Sequence, residues 1–285
     1  MRSGNICAAV LALVFSMLAL TPVQAAPACE PDKLANKYPK LVGKKIKIGQ
    51  DGESRPFSFR DPKDFNHLIG LDADVARAVF ACAGVPIEFS TGSWSGLIPA
   101  AMSGQIDVMW DTLLYTAERA KKLDFVAYMN SATGFMVVKG NPKKIKSLDD
   151  LCGFTATANL GTTQEAMLRE TSAKCTAAGK KAVDVITSTD MPSGTRLVQN
   201  GRADALATNK FYGDALAETN KEVEVAFGVV TNARIASGTA KGNDDLVKLT
   251  FDGLTVLRAN GELKKIYEAY KVDYSLVTDP EILTK

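Results

Sequence analysis

Histidine occurs once in the chain, as His67. The sequence has no CxxC pair and no HExxH, GxSxG or GxxxxGK[ST] stretch. Those absences remove the patterns that hold zinc, activate a serine or cradle nucleotide phosphates. An excess of one charge is lacking too. The 34 Lys and Arg stand against 32 Asp and Glu, a net charge of +2, which is not the concentrated basic excess of a nucleic-acid-binding domain. Long apolar runs are missing except at the start, where Ile6 to Leu20 follows Arg2 and leads to small residues around Ala25. That stretch is short for a membrane span and reads as a secretory signal peptide over residues 1–25, cleaved after Ala25, which sends the protein to the periplasm. Ala26, Pro27 and Ala28 make a poor lipobox before Cys29. Cys7 leaves with the signal, so four cysteines remain, Cys29, Cys82, Cys152 and Cys175, and they allow three disulfide connectivities.

What is present is an alternation of strand and helix patterns. Lys45 to Gly49 reads as a strand. Leu71, Val75, Ala78, Val79 and Cys82 recur at helical spacing, with Gly84 placed to stop the helix. Ile87 to Phe89, a helix from Leu97 to Met102 and a strand from Ile106 to Trp110 complete a βαβαβ start, which implies a mainly parallel sheet covered by helices. After Asn141 and Pro142 the alternation begins again, from a short helix over Ser147 to Leu151 through to a strand over Ala203 to Ala207. "SGQIDVMWDT" and "NGRADALATN" echo each other, each running from a helix-ending Gly through an Asp into an apolar strand. Two related α/β lobes are therefore expected. Amphipathic helices around Leu246 to Leu257 and Leu263 to Tyr270 close the chain. If they return to the first lobe, the chain crosses between lobes twice, near Gly134 to Val138 and Arg234 to Gly238, and makes a two-strand hinge. The expected division is 26–136 with 236–285 as lobe 1 and 137–235 as lobe 2. Grouping the cysteines by lobe favours Cys29 with Cys82 and Cys152 with Cys175.

Eight stretches, in order, resemble the polar amino acid-binding family (family 3) of extracytoplasmic solute-binding proteins of ABC importers. They are "IKIGQDGESRPFSFRD", "GLDADVARAV", "SWSGLIPAAMSGQIDV", "YTAERAKKLDF", "SLDDLCG", "LGTTQE", "NGRADAL" and "ANGELKKIYEAY". The resemblance implies two α/β lobes with the ligand between them, and Arg119 gripping a ligand carboxylate. A guanidinium presents a rigid fork that matches a carboxylate in two parallel hydrogen bonds. In "LGTTQE", Gly161 permits close backbone approach, while Thr162 and Thr163 open a helix whose free N–H groups suit an anion. Trp94 resembles the family's aromatic platform and Asp51 an acid that meets polar side chains. Trp110 is either a second aromatic face or a core residue ending a buried strand.

Three positions depart from the pattern. Ser54 stands where an aromatic is usual, and Leu114 replaces a second hydroxyl, although Thr112 keeps its own. Asn209 falls where the family's acid for the α-ammonium belongs, and an amide gives no ion pair. Asp111 is then expected to supply the lost charge, or to pair internally with Arg119. The implied ligand is a small carboxylate-bearing polar molecule, an amino acid or a near relative, with its cationic group near Asp111 or Asp51. The implied partner is an ABC permease in the inner membrane, met by a monomer with no cofactor, metal or nucleic acid. A dehydratase-like enzyme on the same fold and a sensor presenting to a receptor are the alternatives. His67 reads as a loop residue.

Overall fold

The computed structural model describes residues 28–285, so the signal peptide expected at residues 1–25 lies outside them. A short turn, α1 (Leu34–Lys37), leads to β1 (Ile46–Gln50), which sends Ile46 and Ile48 into the core. β2 (Glu53–Ser54), β3 (Ser58–Arg60) and β4 (Leu68–Ile69) form a small sheet of their own. α2 (Leu71–Cys82) buries Leu71, Val75, Val79 and Phe80, the spacing of one helical face. β5 (Ile87–Thr91), α3 (Trp94–Met102) and β6 (Val108–Met109) follow, with β1 between β5 and β6 and parallel to both. α3 starts at Trp94, not at Leu97 as the apolar spacing suggests. Extended backbone ends at Ser93, so Trp94 takes the first helical position and is buried there.

After α4 (Ala117–Ala120) comes the long strand β7 (Leu123–Val138). The second unit then repeats the plan with β8 (Thr155–Asn159), α5 (Thr163–Ala177), β9 (Asp184–Ser188), α6 (Met191–Gln199), β10 (Ala205–Asn209) and α7 (Lys210–Thr219). Here β8 lies between β9 and β10, parallel to both. A second long strand, β11 (Val223–Ala240), precedes α8 (Asp244–Ala259), α9 (Glu262–Ala269) and β12 (Val277–Leu283).

The α/β fold class read from the sequence holds. β7 and β11 run antiparallel along their whole length and join the two parallel groups into one nine-stranded sheet, ordered β5-β1-β6-β11-β7-β10-β8-β9 with β12 also on β7. β7 changes its other neighbour part-way along. Met129 still pairs with Val277 of β12, whereas Thr133 pairs with Asn209 of β10. The register of β11 shifts between Val230 and Arg234. The passages from one half to the other therefore lie at 129–133 and 230–234. This corrects the expected crossings, because Gly134 to Val138 already belongs to the second half and Gly238 already pairs with Met109 of the first. The change of hydrogen-bonding partner is what divides the strand.

Each half has its own apolar core. Ile48, Val79, Phe80, Leu254 and Tyr267 are fully buried in one, and Phe135, Leu151, Leu168 and Leu206 in the other. Each such side chain contributes roughly 1.5–3 kcal/mol by leaving water. α8 crosses α2 at Gly253, where an added Cβ would sit 2.8 Å from Val79 Cγ1, so only glycine allows that approach. Disulfides Cys29–Cys82 and Cys152–Cys175 each staple one half, the first tying the N-terminal segment to the end of α2 and the second reaching α5. None of the described helices is long and apolar enough to cross a membrane.

Candidate functional site

The segment after β6 is held by a residue that the sequence reading did not single out. Asp72, fully buried in the first turn of α2, accepts hydrogen bonds from Thr112 N at 2.6 Å and Tyr128 Oη at 2.9 Å. Thr112 has φ +46°, a left-handed conformation that costs a β-branched residue of order 1–3 kcal/mol, and the bond to Asp72 holds it there. Further on, Leu114 bridges to Ile235 of β11, and Tyr115 N donates to Arg234 O. The loop is thus fastened to a strand that passes between the halves.

Arg119 lies on α4, whose N-cap Thr116 accepts the Arg119 amide at 3.1 Å. Its guanidinium donates through Nη1 to Leu114 O at 2.7 Å, and Cζ lies 5.2 Å from the centroid of the Trp94 ring. Trp94 is fixed in turn by Nε1 donating to Asp111 O at 3.1 Å. Burial lowers the Arg119 pKa to about 10, so it remains a cation at neutral pH.

From the other half comes the start of α5. Thr162 caps the helix, its Oγ1 accepting from Glu165 N at 3.2 Å and donating to Asn159 O at 2.7 Å. The amides of Thr163 and Gln164, at the first two helical positions, have no carbonyl of their own helix to bond. Arg119 Nη2 donates to Gly161 O at 2.9 Å, so the two halves touch at this point. Asn209 ends β10 and caps α7, with Oδ1 accepting from Phe211 N at 2.9 Å.

Between these elements is a cavity of about 30 Å³. Of the expected site residues, Trp94, Thr112, Arg119, Thr162, Thr163 and Asn209 line it. Ser54, Leu114, Gln164 and Met191 join them, and Gly161 contributes its carbonyl to Arg119. Gln164 sits inside the "LGTTQE" stretch and could have been read from it. Met191 carries no such signal, since a methionine opening a helix reads as core.

Three expected ligand contacts are corrected. The Trp110 ring is fully buried and donates to Tyr128 Oη at 2.9 Å, so it is a core residue. The Asp111 carboxyl is fully buried behind the site, where Oδ2 accepts from Asp51 N at 3.0 Å, and it makes no ion pair with Arg119. Asp51 holds its own turn, accepting from Glu53 N at 2.9 Å and Ser54 Oγ at 2.5 Å, and presents only Ser54 to the cavity. Asp51 follows the end of β1 and Trp110 and Asp111 follow the end of β6, and the hydrogen bonds each of them makes hold it out of the cavity lining.

Asp51, Asp72 and Asp111 form a cluster of carboxyls beneath the cavity. Burial raises Asp51 to about 6 and Asp72 to about 7, and raises Asp111 well above the usual carboxylate range, with the Asp51 and Asp72 charges adding to it. Among the described residues no group of His, Cys, Asp and Glu has the arrangement to hold a metal ion. His67 is exposed on the turn before β4 and does not reach the cavity.

A family model described as bacterial extracellular solute-binding proteins, family 3, matches residues 46–273. The chain belongs to that family. Two similar relatives are the L-cystine-binding protein TcyJ of Escherichia coli strain K12 and a probable amino-acid ABC transporter-binding protein of Haemophilus influenzae. The first is 29% identical over 225 residues, 78% of this chain and 81% of TcyJ, and the second is 27% identical over 229 residues, 78% and 83%. A solved ancestral arginine-binding protein bound to arginine superposes with a TM-score of 0.73 at 29% identity, covering 79% of this chain and 97% of that one. Like other family-3 solute-binding proteins, this one combines a large, mainly parallel sheet with flanking helices.

Proposed function

We propose that this protein captures a small carboxylate-bearing polar solute, an amino acid or a close derivative, in the periplasm and delivers it, as a monomer, to an inner-membrane ABC permease. One observation carries the reading: Arg119 from one half and the N-terminus of α5 from the other line the same small cavity. A ligand carboxylate takes the Nη2 donor that is otherwise given to Gly161 O and gains the Thr163 and Gln164 amides opposite. Both sets of contacts exist only when the two halves, divided at 129–133 and 230–234, come together, so the ligand favours closure. Bending at 129–133 and 230–234 allows it, and the closed form is what the permease recognises.

The chemistry of the lining supports binding over catalysis. No Asp, Glu, His, Cys, Lys or Tyr is among the described residues that line the cavity, so the lining offers none of the usual general acids or bases. The test is calorimetric titration of protein freed of ligand by unfolding and refolding, against amino acids, betaines and simple carboxylates. Arg119→Ala should weaken carboxylate binding by roughly 2–5 kcal/mol, 30-fold or more, with an unchanged circular dichroism spectrum. Wild-type affinity in that variant, or binding confined to molecules without a carboxylate, rejects the assignment.

A further inference from the structure

We infer that this cavity disfavours an ammonium group and selects a carboxylate whose α-substituent is neutral, a hydroxyl or a keto oxygen. The inference rests on the capture reading above and names the substrate class of that same site. Arg119 is the one charged residue among those described that line the cavity. The positive end of the α5 dipole points the same way. An ammonium brings three donors and no acceptor, so it needs a carboxylate or several free oxygens facing it.

Several polar groups on the wall are already engaged or present a donor. The backbone amide of Phe211 requires an acceptor and takes Asn209 Oδ1, which leaves Nδ2, a donor, for the cavity; its contact to Ser131 Oγ is long at 3.5 Å. Gln164 Oε1 is engaged by Thr163 Oγ1 at 3.2 Å. The Thr162 hydroxyl is satisfied as donor and acceptor within its own turn. No acid is among the described residues that line the cavity: Asp51 accepts from Glu53 N and Ser54 Oγ in its own turn, and Asp111 is fully buried, with Oδ2 bonded to Asp51 N and Oδ1 without a partner. A hydroxyl or keto oxygen accepts from Asn209 Nδ2, whereas an ammonium meets that donor and the guanidinium with only the hydroxyl oxygens of Ser54, Thr112 and Thr163, and no carboxylate, on the wall to offset its lost hydration.

Matched pairs that differ only in the α-substituent separate the two classes: glycolate and glycine, L-lactate and L-alanine, 2-hydroxybutyrate and 2-aminobutyrate, each titrated into refolded protein at pH 7.5. The hydroxy acid should bind at least tenfold tighter in every pair that binds. Asn209→Asp keeps the α7 cap, because a carboxylate oxygen also accepts from Phe211 N, and places a negative charge at the cavity. That variant should swing the ratio at least tenfold toward the amino acid. An amino acid that binds wild type as tightly as its hydroxy analogue, or a ratio unmoved by Asn209→Asp, overturns this inference and leaves carboxylate capture standing. Failure of every carboxylate to bind overturns both.

Discussion

Raising the pH from 5 to 8 should destabilise this protein, and the carboxyl cluster sets the amount. Asp72 rises from an ordinary 3.8 to about 7 because it is fully buried, and Asp51 from 3.8 to about 6 for the same reason. In the unfolded chain both are ionised by pH 5. The folded state therefore binds more protons than the unfolded state through this window, and stability falls as pH rises. At about 1.4 kcal/mol per pH unit, Asp72 contributes roughly 2.7 kcal/mol between pH 5 and its folded value, and Asp51 roughly 1.4 kcal/mol. The sum for these two is about 4 kcal/mol, reduced to the extent that water reaches Asp51, and Asp111, raised well above the usual range by burial, acts in the same direction. The surface acids held low by lysines, such as Glu30 and Glu88, act in the opposite sense, but they titrate below pH 5 and leave this window alone. Denaturant melts at pH 5, 6, 7 and 8 at constant ionic strength read the slope directly, and Asp72→Asn should remove its larger share. Stability that is flat or rising from pH 5 to 8 would refute the claim that these carboxyls sit uncompensated beneath the cavity.

Two further substitutions separate core from site. Trp110→Phe deletes the Nε1 donor to Tyr128 Oη and some buried ring area, so thermal or denaturant melts should show a loss of about 1–3 kcal/mol while the affinity per folded molecule stays the same; a large affinity loss would return Trp110 to the ligand. Thr162→Ala removes the α5 cap and should cost about 0.5–2 kcal/mol of stability together with a several-fold loss of affinity, because the frayed first turn no longer holds the Thr163 and Gln164 amides in place. Titration of that variant with unchanged affinity would take the helix N-terminus out of the site.

Much of the architecture could be read from local patterns. The helical spacing of Leu71 to Cys82, the strand–helix alternation on either side of Asn141 and Pro142, and the pairing of cysteines within each half depend on near neighbours in sequence, and the structure agrees on the elements and on both disulfides. Arg119, Trp94 and the Thr162–Thr163 turn were legible because a helix start and a guanidinium keep their chemistry wherever they are placed. Asp72 was not. In sequence it is one more acid in the first turn of an amphipathic helix, and only the fold brings Thr112 N and Tyr128 Oη against it. Met191 was missed for a similar reason, since its place in the cavity depends on how α6 meets the opposite half.

By itself the sequence determined the class of fold, the family, the order of the elements and the one cation of the site. The tertiary structure decided where each candidate side chain goes: Trp110 and Asp111 are fully buried outside the cavity lining, Asp51 folds onto its own turn, and Asn209 gives its oxygen to Phe211 N. It also decided where the two halves divide. Those outcomes depend on strand register and on hydrogen-bond partners dozens of residues away, which local residue patterns do not encode.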